Sequence, residues 1–486
     1  MSVLGNLEPK LVFKYFEEIS KIPHGSYNTK GISDYLKKFA EDRDLEVYQD
    51  HLNNIIIIKE ATEGYENVEP VIIQGHMDMV CDVAPGKEFD FEKDSLELMI
   101  QGDYITADGT TLGGDDGIAV AMAMALLDST DLQHPRLEVV ITTDEEVGLI
   151  GAEGIDVSML KGKRFINIDS EDEGVFTVSC AGGVTASINL PMEEETFNGQ
   201  MVELTVTGLQ GGHSGISIGE ERGAGNQLMA RVLWEIRQRI GMDNLRLVSM
   251  TGGTKDNAIC HTAVAEIVVS GEDSLKQVDE VAASMDKIFK HELKTTDKDV
   301  CVKCKAGQEK AWLCANKESS AKVINFLMNT PQGILHMSKD IEGLIETSLN
   351  LGIFYMNTKE MEGSYAVRSA VESRKNYVVA KLESLADVLG AKVSLKGDYP
   401  GWEYKSDSLL REQAVALFKE MYGREPKVEA IHAGLECGLF AGKMGPELDC
   451  ISLGPDMRNV HTSDEVLSIS STQRVWEFLT KLVALK

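Results

Sequence analysis

Four short runs of nearly unbroken apolar residues constrain this chain more than any other feature: "NNIIIIKE" at 53–60, "PVIIQG" at 70–75, "LEVVITT" at 137–143 and "RFINIDS" at 164–170. A strand with one wet face alternates apolar and polar residues. Runs that do not alternate are buried on both faces, as in a largely parallel sheet with helices on either side. Amphipathic patterns at 8–21 and 30–43 and the apolar "IAVAMAMALL" at 118–127 supply the helices. The opening part of the chain is therefore expected to be an α/β domain.

After "CAGG" at 180–183 the texture changes. Alternating strands such as "MVELTVTG" and "TAVAEIVVSG" are paired with long helical patterns such as "GNQLMARVLWEIRQRIG". The latter half repeats this order coarsely, with a helix near 317–329, the strands "LIETSLNLGIFYMN" and "SYAVRS", and a helix near 373–390. The α/β texture returns from about Pro400, with helices near 407–422 and from 469 around the strand "LDCISLG". With 486 residues the chain has room for two or three domains. The expected architecture is α/β: a catalytic domain with a mixed, largely parallel sheet covered by helices, interrupted by an inserted α+β lid domain of two lobes. The expected boundaries are 1–186 for the first part of the catalytic domain, 187–399 for the lid and 400–486 for the second part.

Acidic residues outnumber basic ones 78 to 48, for a net charge of -30. That balance repels nucleic acid and anionic membranes, so neither is an expected partner. The N-terminal "MSVLGNLEPKLVFKYFEEIS" lacks the basic head and apolar run of a secretory leader, and the 118–127 run is about half the roughly 20 residues of a membrane helix. A cytoplasmic protein is expected. Eight scattered cysteines fit free thiols, and "CVKC" at 301–304 has no second such pair to complete a zinc site.

Chemistry gathers where the apolar runs stop. "VIIQGHMDMV" places His76 and Asp78 past one strand, "VVITTDEEVG" places Glu145 and Glu146 past another, and "FINIDSEDEG" places Asp169 past a third. "TLGGDDGIAVAMA" sets Asp115 and Asp116 at a glycine-rich turn before a helix. A strand fixes its backbone by ladder pairing while the following loop frees side chains to converge. Each acid alone could be a helix cap or a solvated turn, but three acidic strand ends and an acidic turn, with a histidine, point to a metal site.

The motifs "GHMDMV", "GGDDG", "TTDEEVG", "IDSE", "GGHSG" and "VHTSDE" stand in the order of the co-catalytic di-zinc peptidases, a family that includes aminoacylases, tripeptidases and glutamate-releasing carboxypeptidases. The chain resembles that family. "KIPHGSY", "GTTLGGDDGIA", "SCAGG", "GLQGGHSG", "GGTKDNAI", "ETSLNLG", "YPGW" and "IHAGLECGLF" extend the likeness over nearly the whole chain, to a branch that cleaves Xaa-His dipeptides. The resemblance implies two Zn²⁺ per chain, with Co²⁺ or Mn²⁺ able to substitute. His76 and Asp169 would be terminal ligands of one ion, Glu146 and His461 of the other, and Asp115 would bridge them. Asp116 remains open as an alternative bridge. Asp78 would orient His76, Glu145 would be the general base, and His213 would donate to the developing oxyanion. A non-proline cis peptide after Asp115 is also implied.

The same likeness makes Asn257, Arg368 and Gly434 substrate-binding residues, while His24, His261 and His432 are read as packing or local hydrogen-bonding groups. The expected activity is hydrolysis of unblocked dipeptides, including Xaa-His and β-alanyl-His. Amide hydrolysis of N-acyl amino acids, broader dipeptidase or tripeptidase activity, and a binding protein that has lost turnover are the alternatives. A homodimer is compatible with the resemblance.

Overall fold

The computed structural model describes residues 2–271 and 273–486. The chain forms two compact units. The first holds the residues up to Cys180, then Tyr404–Ala430 and Leu435–Lys486; the second holds Ala181–Glu403 and Ile431–Gly434.

The first unit is built on an eight-stranded mixed sheet. Its centre is parallel: Leu137–Thr142, Val71–His76, Arg164–Asn167 and Asp449–Ser452 lie side by side. Register sets His76 level with Thr142, Gln74 level with Asn167, and Asn167 level with Ser452. Every residue of Val71–His76 and of Leu137–Thr142 is buried, which is why these runs carry no alternation. The isoleucine run forms Ile55–Lys59 and joins antiparallel, between Glu46–Gln49 and Leu137–Thr142.

The apolar helix spans Gly114–Asp128, starting four residues before the expected 118. It is buried on all sides, and Lys10–Ile19 packs along it through Val12, Phe13, Phe16 and Ile19. Each such side chain removed from water contributes about 1.5–3 kcal/mol. A four-stranded sheet in the same unit pairs Val466–Ser468 with both Met457–Arg458 and Tyr104–Ala107. His461 lies in the loop between the first two of these strands.

The second unit carries a nine-stranded antiparallel sheet backed by four helices, Gly225–Ile240, Ser274–Glu292, Lys317–Asn329 and Glu372–Leu389. The expected two lobes are halves of this one sheet: Met250–Gly252 pair with Phe354–Met356 across the middle, and one apolar core runs beneath both. Residues 431–434 group with this unit rather than with the segments around them. The Ala181 amide donates to the Ile431 and Ala433 carbonyls, and His432 Nε2 lies 2.7 Å from Ser348 Oγ. "CVKC" falls in the long strand Cys301–Ala315, with Cys301 opposite Thr207 and Cys304 opposite Leu204. Residues three apart on a strand face opposite ways, so these thiols do not converge.

Candidate metal centre

His76 is the last residue of its strand and is 1% exposed. Its Nδ1 meets the Asp78 carbonyl oxygen at 2.9 Å, with the Asp78 carboxylate further off at 3.5 Å. The main chain of Asp78, more than its carboxylate, therefore orients the ring. The carboxylate also accepts the Glu145 amide at 3.0 Å, the Glu146 amide at 3.4 Å and the Ser26 hydroxyl at 2.8 Å. One aspartate thus ties the loop after the central strand to the loop after its neighbour.

With Nδ1 engaged, His76 Nε2 points into an acidic cluster. It lies 3.1 Å from Asp115 Oδ1, 3.8 Å from Asp169 Oδ1 and 4.0 Å from Glu145 Oε2. The other Asp115 oxygen, Oδ2, is 3.1 Å from His461 Nε2, which is also 3.0 Å from Glu146 Oε1. The structure thus brings His76, Asp115, Glu145, Glu146, Asp169 and His461 together, with Asp115 between the two imidazoles.

Asp116 is fully buried. Its Oδ2 accepts the His76 amide at 3.2 Å and its Oδ1 has no hydrogen-bond partner. The peptide bond between Asp115 and Asp116 is cis. Gly75 makes this approach feasible, because a Cβ there would lie 2.5 Å from Asp116 Oδ2 and 2.6 Å from Ala119 Cβ.

The electrostatics are those of crowded acids. Burial, then Asp116, drives the Asp169 carboxyl well above its usual range, and burial does the same to Asp116. Burial pushes Glu145 up to about 7, with Glu146, Asp115 and Asp78 adding to the effect and His76 opposing it. Asp115 and Glu146 raise His461 to about 10. Burial works against protonation of His76, yet its contacts with Asp115 and Asp78 outweigh that and raise it.

This donor set fits divalent cations. One Nε2 proton on His461 has two carboxylate oxygens to serve, and Glu146 Oε1 is buried near it without hydrogen-bond alignment. Among the described residues, three groups bring possible ligand atoms within 4.8 Å of one another: His76, Asp116 and Asp169; His76, Glu145 and Glu146; and Asp115, Glu146 and His461. Imidazole and carboxylate donors suit zinc and its neighbours.

The remaining candidates lie in the second unit. His213 sits on the short strand Gly212–His213, paired with Ala258–Ile259. Its Nδ1 accepts the Gly215 and Ile216 amides at 3.2 and 3.3 Å, which leaves the proton on Nε2. Burial, then Arg368, keeps the ring neutral by lowering its pKa. Arg368 is buried, reaches the Tyr399 hydroxyl at 3.4 Å and has no partner for Nε. Asn257 is exposed and its carbonyl accepts the Ser214 amide at 2.8 Å, while a Cβ on Gly434 would meet the Tyr399 ring at 2.9 Å. Among the buried glutamates of the first unit with no role assigned from sequence are Glu436 and Glu465. Each lies inside a motif of the family likeness, "IHAGLECGLF" for Glu436 and "VHTSDE" for Glu465, and that is the signal that could have found them.

A buried cluster of this composition, at the ends of parallel strands, defines a metal-dependent hydrolase. Residues 72–485 match peptidase family M20/M25/M40, and the chain belongs to that family. It is 36% identical over 486 residues to the cytosol non-specific dipeptidase of Escherichia coli (strain K12), covering 99% of both chains. The aminoacylhistidine dipeptidase of Vibrio alginolyticus superposes with a TM-score of 0.93 at 32% identity, over 99% of this chain and 97% of that one. A tripeptidase from Staphylococcus aureus, 15% identical with a TM-score of 0.55 over 98% of both, shares the fold. Among the described residues no helix is long and apolar enough to cross a membrane.

Proposed function

We propose that this chain is a cytoplasmic dipeptidase that hydrolyses unblocked dipeptides, Xaa-His and β-alanyl-His among them, with two zinc ions per chain. The observation that carries the reading is Asp115, whose two oxygens face His76 on one side and His461 on the other at 3.1 Å each. His76 and Asp169 would hold one ion, Glu146 and His461 the other, and Asp115 would bridge them. Such ions polarise a carbonyl and acidify water.

The chain's own groups do the rest. Glu145 takes the proton from the attacking water and returns it to the leaving amine. Asp78 holds the Glu145 and Glu146 amides, so base and ligand keep their spacing. His213, neutral with its proton on Nε2, is the donor to the developing oxyanion. Arg368, with Nε unpartnered, and Asn257 bind the substrate's free carboxylate, and Gly434 helps line the substrate pocket.

The two dipeptidase relatives differ in the breadth their names state, so breadth is what the experiment must resolve. The purified protein is assayed on Xaa-His, β-alanyl-His, other unblocked dipeptides and N-acetyl amino acids, before and after chelation and zinc restoration. Release from unblocked dipeptides that chelation abolishes and zinc restores supports the reading. Release confined to N-acetyl substrates replaces it with an amidohydrolase.

A further inference from the structure

Beside the metal centre a row of polar side chains, buried from Ser452 onward, crosses the strand ends of the first unit. Ser170 Oγ and Ser452 Oγ lie 2.8 Å apart, Ser452 Oγ donates to Asn167 Oδ1 at 2.5 Å, and Asn167 Nδ2 donates to Gln74 Oε1 at 2.7 Å. Gln74 Nε2 then donates to Glu436 Oε2, and Thr142 Oγ1 donates to that same oxygen at 2.8 Å. Glu436 opens the helix Glu436–Met444. Its side chain is fully buried, no ion pair reaches it among the described residues, and its second oxygen has no hydrogen-bond partner.

The members of this row are the near neighbours of the metal-centre residues. Gln74 stands two residues before His76 on one strand, Asn167 two before Asp169, and Thr142 three before Glu145. Thr142 is also level with His76 across the parallel pair. The donors run from Ser452 through Asn167 and Gln74 toward Glu436, with Thr142 arriving from the other side. The row therefore ends on an acceptor, and an apolar residue at 436 would leave the Gln74 amide and the Thr142 hydroxyl only their long contacts, Gln74 Nε2 to Thr142 Oγ1 at 3.4 Å and Thr142 Oγ1 to the Gly75 carbonyl at 3.3 Å.

A buried carboxylate without a counter-ion is disfavoured, whereas the protonated acid still offers Oε2 as an acceptor. Burial, reinforced by the Glu145 carboxylate, pushes the Glu436 carboxyl up to about 8. We propose that Glu436 is a positioning residue of the reaction: it clamps Gln74 and Thr142, and with them the strand ends that carry His76 and the Glu145–Glu146 pair. The inference rests on the metallopeptidase reading above. It requires an acceptor of this size at position 436, not a charge.

The test compares Glu436→Leu, Glu436→Gln and Thr142→Val as full-length proteins. It measures kcat and KM on the dipeptide the unaltered protein cleaves best, and Co²⁺ affinity by absorption titration of the metal-free protein. Glu436→Leu should lower kcat about 10–100-fold and weaken Co²⁺ binding by a similar factor, with KM little changed. Glu436→Gln, which keeps the acceptor oxygen, should restore most of both. Thr142→Val should lose less in the same direction, and adding it to Glu436→Leu should do no further harm. Unaltered kcat and Co²⁺ affinity per folded Glu436→Leu molecule would overturn the proposal, as would a Glu436→Gln variant as impaired as Glu436→Leu. If Glu436→Leu does not fold, Thr142→Val decides, and full kcat with full Co²⁺ affinity there sinks the idea. If the unaltered protein cleaves no dipeptide, the proposed function fails, while the cobalt titration still judges this inference.

Discussion

Glu465 grips the backbone of Gly114, accepting its amide on Oε1 at 2.8 Å. The same carboxylate takes the amides of Leu112, Gly113 and Asp115 at 2.8, 3.1 and 3.3 Å. Four N–H groups in one turn thus converge on a residue four positions after His461. The turn that carries Asp115 and the loop that carries His461 are held as one piece.

Glu465→Gln replaces one of those acceptor oxygens with an amide donor facing N–H groups. An unpaired buried polar group costs about 1–3 kcal/mol, so the variant should unfold at lower denaturant. Its zinc affinity should fall about 10–100-fold. Competitive chelator titration checks this, and unchanged affinity would show that the turn holds its shape without Glu465.

Glu145→Gln should keep bound metal near the level of the unaltered protein while lowering kcat by about 10²–10⁴-fold, because a proton carrier is lost and a ligand is not. Metal analysis beside steady-state kinetics separates the two. Loss of metal in step with activity would make Glu145 a ligand instead.

Asp115→Ala should behave in the opposite way. Removing the group between His76 and His461 should abolish stoichiometric metal binding as well as turnover. Full metal occupancy in that variant would overturn the bridging assignment.

His432 makes a pH prediction for stability. Burial, then Arg368, pushes its pKa down to about 3 from the ordinary 6.5. The folded value lies below the unfolded one, so as pH falls the unfolded chain takes up the proton first. The contribution of the neutral ring is complete above pH 6.5 and is lost as the pH drops toward 3. Between about pH 7 and 5 it should decline by about 2 kcal/mol. His432→Asn removes this titration, so the stability gap between the two proteins in urea should shrink over that same range. A constant gap would contradict the assignment.

The strand ends were legible in the sequence because two-sided burial writes itself as unbroken apolar runs, and the residue that ends such a run is conspicuous. His76 and Asp169 follow from that rule, as do the acids after Thr142. His461 follows only from family likeness, since its loop reaches the site through a small sheet joining residues near 105 to residues near 467. Glu465 and Glu436 escaped for a different reason. A buried acid satisfied by amides and hydroxyls has no charged partner in the sequence to mark it, although both residues stand inside motifs of the family likeness. The fusion of two lobes into one sheet was hidden too, because it depends on three residue pairs, Met250–Met356, Thr251–Tyr355 and Gly252–Phe354.

The contact between Asp115 and His461 closes across 346 positions of chain. At about 5–20 residues per second, synthesis places the later residue roughly 20–70 s after the earlier one. Once Asp169 has been made, the growing chain carries His76, Asp115, Glu145, Glu146 and Asp169 but lacks the imidazole that faces Asp115 and Glu146. A cluster assembled in this order has one imidazole in place long before the other.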